Sequence, residues 1–489
     1  MLRCALHDVL FRSYFPMKFL QFLLLLLPLG SFAQQPALGS SVAARRAAAR
    51  HLAPVSMPAS RTLVPTAAAP ALTLQEAIAE ALQHSYGILL AREDERIARN
   101  NVTRGNAGQL PRVTGNLTRT FNNSNINQRF GSGDPRIVNG ATSNAFNTNV
   151  ALGWTIFDGL GMFIAYDRLQ ALRQQQQQLT RATVEETVEN VANAYYDVVR
   201  QAGKITSLDE ALRIGQARID LTQAQVEVGV SAKVELLTAR VDYNADRSQL
   251  LQQQQALTAA KISLNHLLSR PPRTDFTPTD TLTVARDLRE ETVAAGIRVN
   301  NPRLAQARLG RDVAAYDRRL VRAARFPQVG LVSGYGLTRN INNAAFAGTT
   351  LTSSVNQVQG LNYGITASVP LFDGFDLRRQ AQNARVVEEQ SRLRLDQTTL
   401  RLDADAATAF AQYQNSLELL DLEETNIELA RQNVAIALER YRLGLLTPLA
   451  LREAQRNELA AETRLLDIRY QAKQAELALR RLSGELVRE

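Results

Sequence analysis

Val369-Pro370-Leu371-Phe372-Asp373-Gly374-Phe375 joins two unlike kinds of sequence. Before it, Leu361, Tyr363, Ile365, Ala367, Val369 and Leu371 alternate with polar or small residues. That period of two belongs to a strand with two different faces. After it, a charged, Gln-, Ala- and Leu-rich run continues without proline to Pro448, which predicts helix. Asp373 suits a helix cap, and Gly374 permits a sharp turn.

The junction occurs twice. Phe157-Asp158-Gly159 closes a second alternating run through Phe146, Thr148, Val150, Leu152, Trp154 and Ile156. Gly159 and Gly374 are 215 residues apart, as are Gly229 and Gly444 and also Ala239 and Ala454, while Pro111 and Pro327 are 216 apart. The chain therefore reads as a tandem duplication. Residues 72–283 form the first repeat and 284–489 the second. Each has a helix, two strands and two long helices, with a Pro-rich connector over Ser269–Thr283.

Length and composition agree. A chain of 489 residues exceeds one ordinary core, and 6% aromatics with abundant Ala, Leu, Gln and Arg favours long helices. Of the net charge of +9, residues 1–33 carry +2 and 34–71 carry +4, leaving +3 for the body. Arginines there alternate with acids, so the basic balance does not point to nucleic acid. Cys4 is the single cysteine. Lys18 precedes the apolar run Phe19–Leu29, and Ser31-Phe32-Ala33 offers a cleavage site, so residues 1–33 read as a secretory signal peptide, with Met17 as an alternative start. The run is shorter than the ~20 residues of a spanning helix. Residues 34–71, rich in Ala, Pro and Ser, read as a disordered extension.

In the body, helices are expected over Leu74–Arg104 and Leu288–Arg325, with strands after Pro111 and Pro327 and Asn/Ser-rich loops, the first over 122–145. In the long helices, Phe410, Tyr413, Leu417, Leu420, Ile427, Ala430, Val434, Ala437 and Tyr441 step by threes and fours, interrupted at Glu424. Such a 3.5-residue repeat predicts supercoiled packing. In the strands, Asn147, Asn149, Ala151, Gly153 and Thr155 oppose Val150, Leu152, Trp154 and Ile156. Strands of ~9–11 residues with this alternation fit a membrane barrel, wet inside and lipid-facing outside. Four strands cannot close one, and open edges cannot sit in lipid, so several copies have to combine.

The sequence resembles the TolC family of outer-membrane efflux and secretion channels. The resemblance runs from Leu72 to Leu486 and rests on the Leu-x-x-Ala-Ile-x-x-Ala-Leu opening at Leu74–Leu82, the paired Phe-Asp-Gly junctions at 157–159 and 372–374, the duplication, and the turns begun by Gly229 and Gly444. It implies a mixed, mainly α fold, with a coiled-coil-like helical tunnel in the periplasm on a twelve-stranded outer-membrane barrel, four strands from each chain of a homotrimer. It further implies a periplasmic adaptor and an inner-membrane transporter as partners, and a tunnel closed at the Gly229 and Gly444 turns. Two acidic positions of the family fall on Ala450 and Glu453, so only Glu453 keeps a carboxylate. Glu235 matches Ala450 in the first repeat. A carboxylate ring of altered make-up is expected there, and such a ring favours cations.

The histidines His7, His51, His84 and His266 have no metal-ligand spacing, and no nucleotide or nucleophile motif stands in a suitable context. No cofactor, metal or enzymatic activity is expected. The function expected is a passive exit duct for small molecules such as drugs or metals. The alternatives are the duct of a type I protein secretion system and a pore-less periplasmic coiled-coil scaffold.

Overall fold

A computed structural model describes residues 70–486 apart from 130, 132–134, 348 and 349. The expected signal peptide, and all of the expected extension except Pro70 and Ala71, lie outside the described residues.

The chain begins with a two-residue strand, β1 (Ala71–Leu72), and two helices, α1 (Leu74–His84) and α2 (Tyr86–Asn101). Strands β2 (Arg112–Gln128) and β3 (Arg136–Phe157) follow, then the long helices α3 (Gly161–Glu227) and α4 (Lys233–Leu267). After β4 (Thr277–Pro278) the order recurs as α5 (Glu290–Asn300), α6 (Pro302–Ala323), β5 (Gln328–Ala347), β6 (Thr350–Ser368), α7 (Asp376–Arg442) and α8 (Pro448–Ser483).

Two helices expected to be continuous are each broken. The first breaks at Ser85 and the second at Asn301, positions 216 residues apart. Asn301 Oδ1 accepts the Leu304 N–H at 3.0 Å and Pro302 occupies the first helical position, a start signal inside an otherwise helical pattern. Ser85 has the same extended backbone without a side-chain cap.

Helices α3 and α7 have 67 residues each, about 100 Å at ~1.5 Å per residue. The buried seam of α7 contains Tyr413, Ser416, Leu420, Glu423, Ile427, Val434, Ala437 and Tyr441, with partly buried Ala430 between, stepping alternately by threes and fours. Its polar members are thus Ser416 and Glu423, where the sequence suggested Leu417 and an interruption at Glu424. Glu423 is kept in the seam by Arg464 of α8, 3.0 Å away, while Glu424 pairs outside it with Arg469. Helix α8 answers with Leu451, Ala454, Ala461, Leu465, Ala472, Ala475, Leu479 and Leu482.

A second core gathers around the connector that follows α4. Tyr195, Val198, Leu264, Leu268 and Phe276 are nearly inaccessible and pack with Leu72, Ala77, Ala81 and Leu477. Asp280, in the connector, accepts the Leu74 N–H at 2.6 Å, which joins it to the Thr73–Glu76 capping box at the start of α1. The buried Tyr195 hydroxyl reaches the Leu72 carbonyl at 2.8 Å and the Asp280 carboxylate at 2.9 Å, and burial pushes its pKa up to about 12. The parallel β1–β4 pair, too short to show as a pattern of residues, fixes the entry to α1 against the connector.

The four long strands form one antiparallel sheet in the order β2-β3-β5-β6. At 17, 22, 20 and 19 residues they are about twice the expected length, and much of the segment expected as loop over 122–145 is paired strand. In the other direction, β6 ends at Ser368, so Val369 and Leu371 lie beyond the strand they had been read into. Pro370 has no N–H to continue the ladder.

Candidate functional site

Away from the bulges at Asn125, Ile156 and 343–344, the register assigns the strand residues to faces. On one face the rows run Val113–Leu152–Ser333–Tyr363, Gly115–Val150–Tyr335–Leu361 and Leu117–Thr148–Leu337–Gln359, with Trp154, Leu331 and Ile365 below them. Leu117, Val150, Trp154, Leu361, Tyr363 and Ile365 are all exposed in the single chain. The opposite face carries Thr114, Asn116, Asn147, Asn149, Gly334, Gly336, Gly360 and Asn362, and a concave pocket opens on it. Among the described residues the sheet thus has a largely apolar, exposed side and a hollow, polar side on which Arg112 is the charged residue of the pocket lining. Its outer strands β2 and β6 each leave one edge unpaired.

At both junctions the chain turns through two successive left-handed residues, Gly159 and Leu160 (φ 70° and 68°) and Gly374 and Phe375 (φ 65° at both). Glycine is required at Gly159 for a further reason, since a Cβ there would lie 2.5 Å from the Ala323 carbonyl oxygen. Leu160 and Phe375, rather than the aspartates, occupy the N-cap positions, and neither caps through its side chain. Asp373 still serves the helix from further back, accepting the Leu377 N–H at 2.6 Å. Asp158 does not: its buried Oδ1 has no hydrogen-bond partner among the described residues. Phe372 and Phe375 meet edge to face at 5.5 Å, while Phe157 ends β3. The left-handed Leu160 and Phe375 were not foreseen, and no residue preference signals them.

The far ends of the long helices carry the other expected residues. Gly229 (φ 79°) and Gly444 (φ 72°) end α3 and α7 in matching turns. Val230 N–H bonds the Gln225 carbonyl and Leu445 N–H the Arg440 carbonyl, both at 2.9 Å, while each glycine N–H bonds back to Val226 or Tyr441. This is the Schellman arrangement, satisfying carbonyls the helix end would otherwise leave open. The turns lie side by side, since Thr222 of α3 and Tyr441 of α7 share a buried hydroxyl hydrogen bond of 2.9 Å. Glu235 accepts a hydrogen bond from Ser231, and the Ala450 N–H donates to the Thr447 hydroxyl that caps α8. Glu453 lies one turn further along α8, exposed and outside the helix's first turn.

A charged cluster beside these residues was missed. Arg452 of α8 grips Asp246 of α4 at 2.7 and 2.8 Å, and the buried Arg218 of α3 holds Asp242 at 2.9 Å. Asp246 raises the Arg452 pKa further through its hydrogen bonds. In the sequence these four are ordinary charged residues of a charged helix.

A wet-faced, lipid-ready sheet and paired 67-residue helices describe a conduit, and comparison with known proteins agrees. The outer membrane efflux protein family matches residues 77–270 and 295–485, most of the chain. The chain belongs to that family. This outer-membrane channel protein is 24% identical over 342 residues to protein CyaE of Bordetella pertussis, covering 69% of this chain and 70% of that one. It is 23% identical over 434 residues to the proteases secretion protein PrtF of Dickeya chrysanthemi (86% and 89%) and 23% over 347 residues to the cation efflux system protein CusC of Escherichia coli (70% and 73%). Its fold is that of the outer membrane protein VceC of Vibrio cholerae (TM-score 0.67, 20% identity, 84% and 96% covered) and of the Campylobacter jejuni CmeC outer membrane channel (0.69, 16%, 84% and 85%). The long helices of the channel protein are its periplasmic part. Among the described residues no helix is long and apolar enough to cross a membrane.

Proposed function

We propose that three copies assemble into an outer-membrane exit duct that receives cargo from an inner-membrane transporter through a periplasmic adaptor. The observation that carries this is the open four-stranded sheet, largely apolar on one side and polar on the other. Exposed strand edges are not tolerated in lipid, so β2 of one chain has to meet β6 of another, and three chains give twelve strands. The hollow polar face then lines water.

Efflux of small molecules is the reading preferred. Protein export is the second, favoured by the match to the protease secretion protein over 86% of this chain. The duct itself performs no chemistry on what passes. Purified mature protein in a planar bilayer should give discrete conductance steps; a protein that stays monomeric without detergent and leaves the bilayer intact would end the proposal.

Glu453 and Glu235 are proposed to ring the periplasmic constriction, with Gly229, Gly444 and Ala450 shaping it. The exposure of Glu453, in the second turn of the helix that follows the Gly444 turn, supports this. A threefold carboxylate ring concentrates cations. Glu453→Ala should therefore lower cation-over-anion permeability several-fold, measured as a reversal-potential shift across a salt gradient; unchanged selectivity and conductance would remove Glu453 from the ring.

A further inference from the structure

The apolar face of the sheet carries two arginines in one cross-strand row. Arg119 pairs with Phe146, Phe146 with Arg339, and Arg339 with Gln357. The four long strands contain no Asp or Glu, and neither arginine has a carboxylate partner among the described residues. Arg119 instead touches Asn144 at 3.4 Å and lies 4.8 Å from the Phe121 ring. An uncompensated pair of cations on a lipid-facing surface calls for an anion outside the chain.

Depth identifies that anion. From Ile156, beside the helix junction, to Phe146 is ten residues along β3, ~33 Å at ~3.3 Å each. With strands tilted ~40° this is ~25 Å of height, the thickness of the apolar band of an outer-membrane barrel. Between these levels the face carries Trp154, Leu331, Ile365, Leu152, Tyr363, Val150 and Leu361, with Ser333, Thr148 and Gln359 as its polar members and no charge. The arginine row therefore lies at the interface remote from the periplasmic helices, where headgroups begin. The next row outward, Phe121–Asn144–Ile341–Val355, sets one polar residue among three apolar ones. Two strand spacings separate Arg119 from Arg339, ~10 Å, within which two long guanidinium arms can hold adjacent phosphates.

We propose that Arg119 and Arg339 bind the phosphate groups of an outer-leaflet lipid headgroup, fixing the height and orientation of the barrel. This rests on the barrel reading above. The test uses the full mature trimer in detergent with bisphosphorylated lipid A as probe, its dephosphorylated form and inorganic phosphate as controls, and retained lipid counted by native mass spectrometry. The phosphorylated lipid should bind at roughly tenfold lower concentration than the dephosphorylated form, from two guanidinium contacts per chain. Arg119→Gln with Arg339→Gln should abolish that preference, and the paired Arg→Lys variant should retain part of it. Equal binding of both lipids, an unaltered preference in the Gln variant, or displacement by equimolar inorganic phosphate would overturn the assignment. Trp154, the chain's single tryptophan, separates this failure from failure of the barrel. In vesicles with brominated acyl chains its fluorescence should be quenched; quenching without headgroup preference sinks the arginine row alone, and absence of quenching sinks the lipid-facing sheet.

Discussion

Ser269 and Gly484 occupy equivalent positions, 215 residues apart, and both end a long helix with positive φ, 57° and 71°. A side chain in the left-handed region costs ~1–2 kcal/mol, partly offset by the backbone entropy that glycine would lose. Ser269→Gly should therefore stabilise the chain by about 0.5–1 kcal/mol in denaturant unfolding of the α3–α4 region. Gly484→Ala should do the reverse and more strongly, because its Cβ would lie 2.7 Å from the Asn300 carbonyl oxygen. Glu185 is a second single-residue case. Its side chain is 2% exposed and burial lifts its pKa to about 7, against the pull of Arg181. A carboxyl with a raised folded-state pKa binds its proton more tightly folded than unfolded. Its burial penalty is thus absent below the unfolded value of about 4.5 and is fully felt above about 7. Stability should fall between those pH values, and Glu185→Gln should flatten the fall, by up to about 3 kcal/mol at pH 8. A pH dependence identical in the variant would refute the buried-acid account.

At the scale of elements, the tip cluster ties α4 to α8 across the repeat boundary. Asp246 is buried and has Arg452 as its bidentate partner. Removing one member of such a pair strands the other, at a cost of ~3–5 kcal/mol. Arg452→Ala should therefore raise hydrogen exchange around residues 240–250 and 448–456 by at least about a hundredfold, a local effect because a long helical pair opens from its ends. Arg452→Met with Asp246→Leu should be much milder. Protection unaffected by Arg452→Ala would show that the cluster is solvated. The long helices were legible from sequence because their 3.5-residue period is repeated for many turns. Even so, reading apolar residues alone moved the seam by one position, from Ser416 to Leu417 and from Glu423 to Glu424. A polar group can hold a seam position when a partner such as Arg464 meets it, and that partner is 41 residues away.

For the whole molecule, the apolar face of the sheet is meant for lipid and the other face for water. A charge at mid-band should cost ~2–4 kcal/mol per chain on the lipid side and little on the lumen side. Leu361→Arg should therefore deplete the proposed trimer, measured by cross-linking in outer-membrane fractions, while Asn362→Arg, one residue away, should leave cross-linking intact and alter conductance. Equal loss from both would argue against the two-faced barrel.

The strand lengths show where the sequence ceases to be informative. Alternation marks a strand only where its two faces meet different media. Beyond the lipid band both faces are wet, so residues 122–128 and 136–145 carry no period of two and read as loop, although backbone pairing continues through them. By itself the sequence determined the recurring order of elements, the paired Phe-Asp-Gly junctions, the two-faced strands and the long helices, because each element is a local pattern written in neighbouring residues. Only the tertiary structure decided that β3 pairs with β5, that the connector pins α1 through Asp280, that Asp246 meets Arg452 and that Arg119 and Arg339 share a row. Each of these joins residues scores to hundreds of positions apart. Their energy comes from what the fold brings within a few ångströms, and nothing in the residues alongside either partner records it.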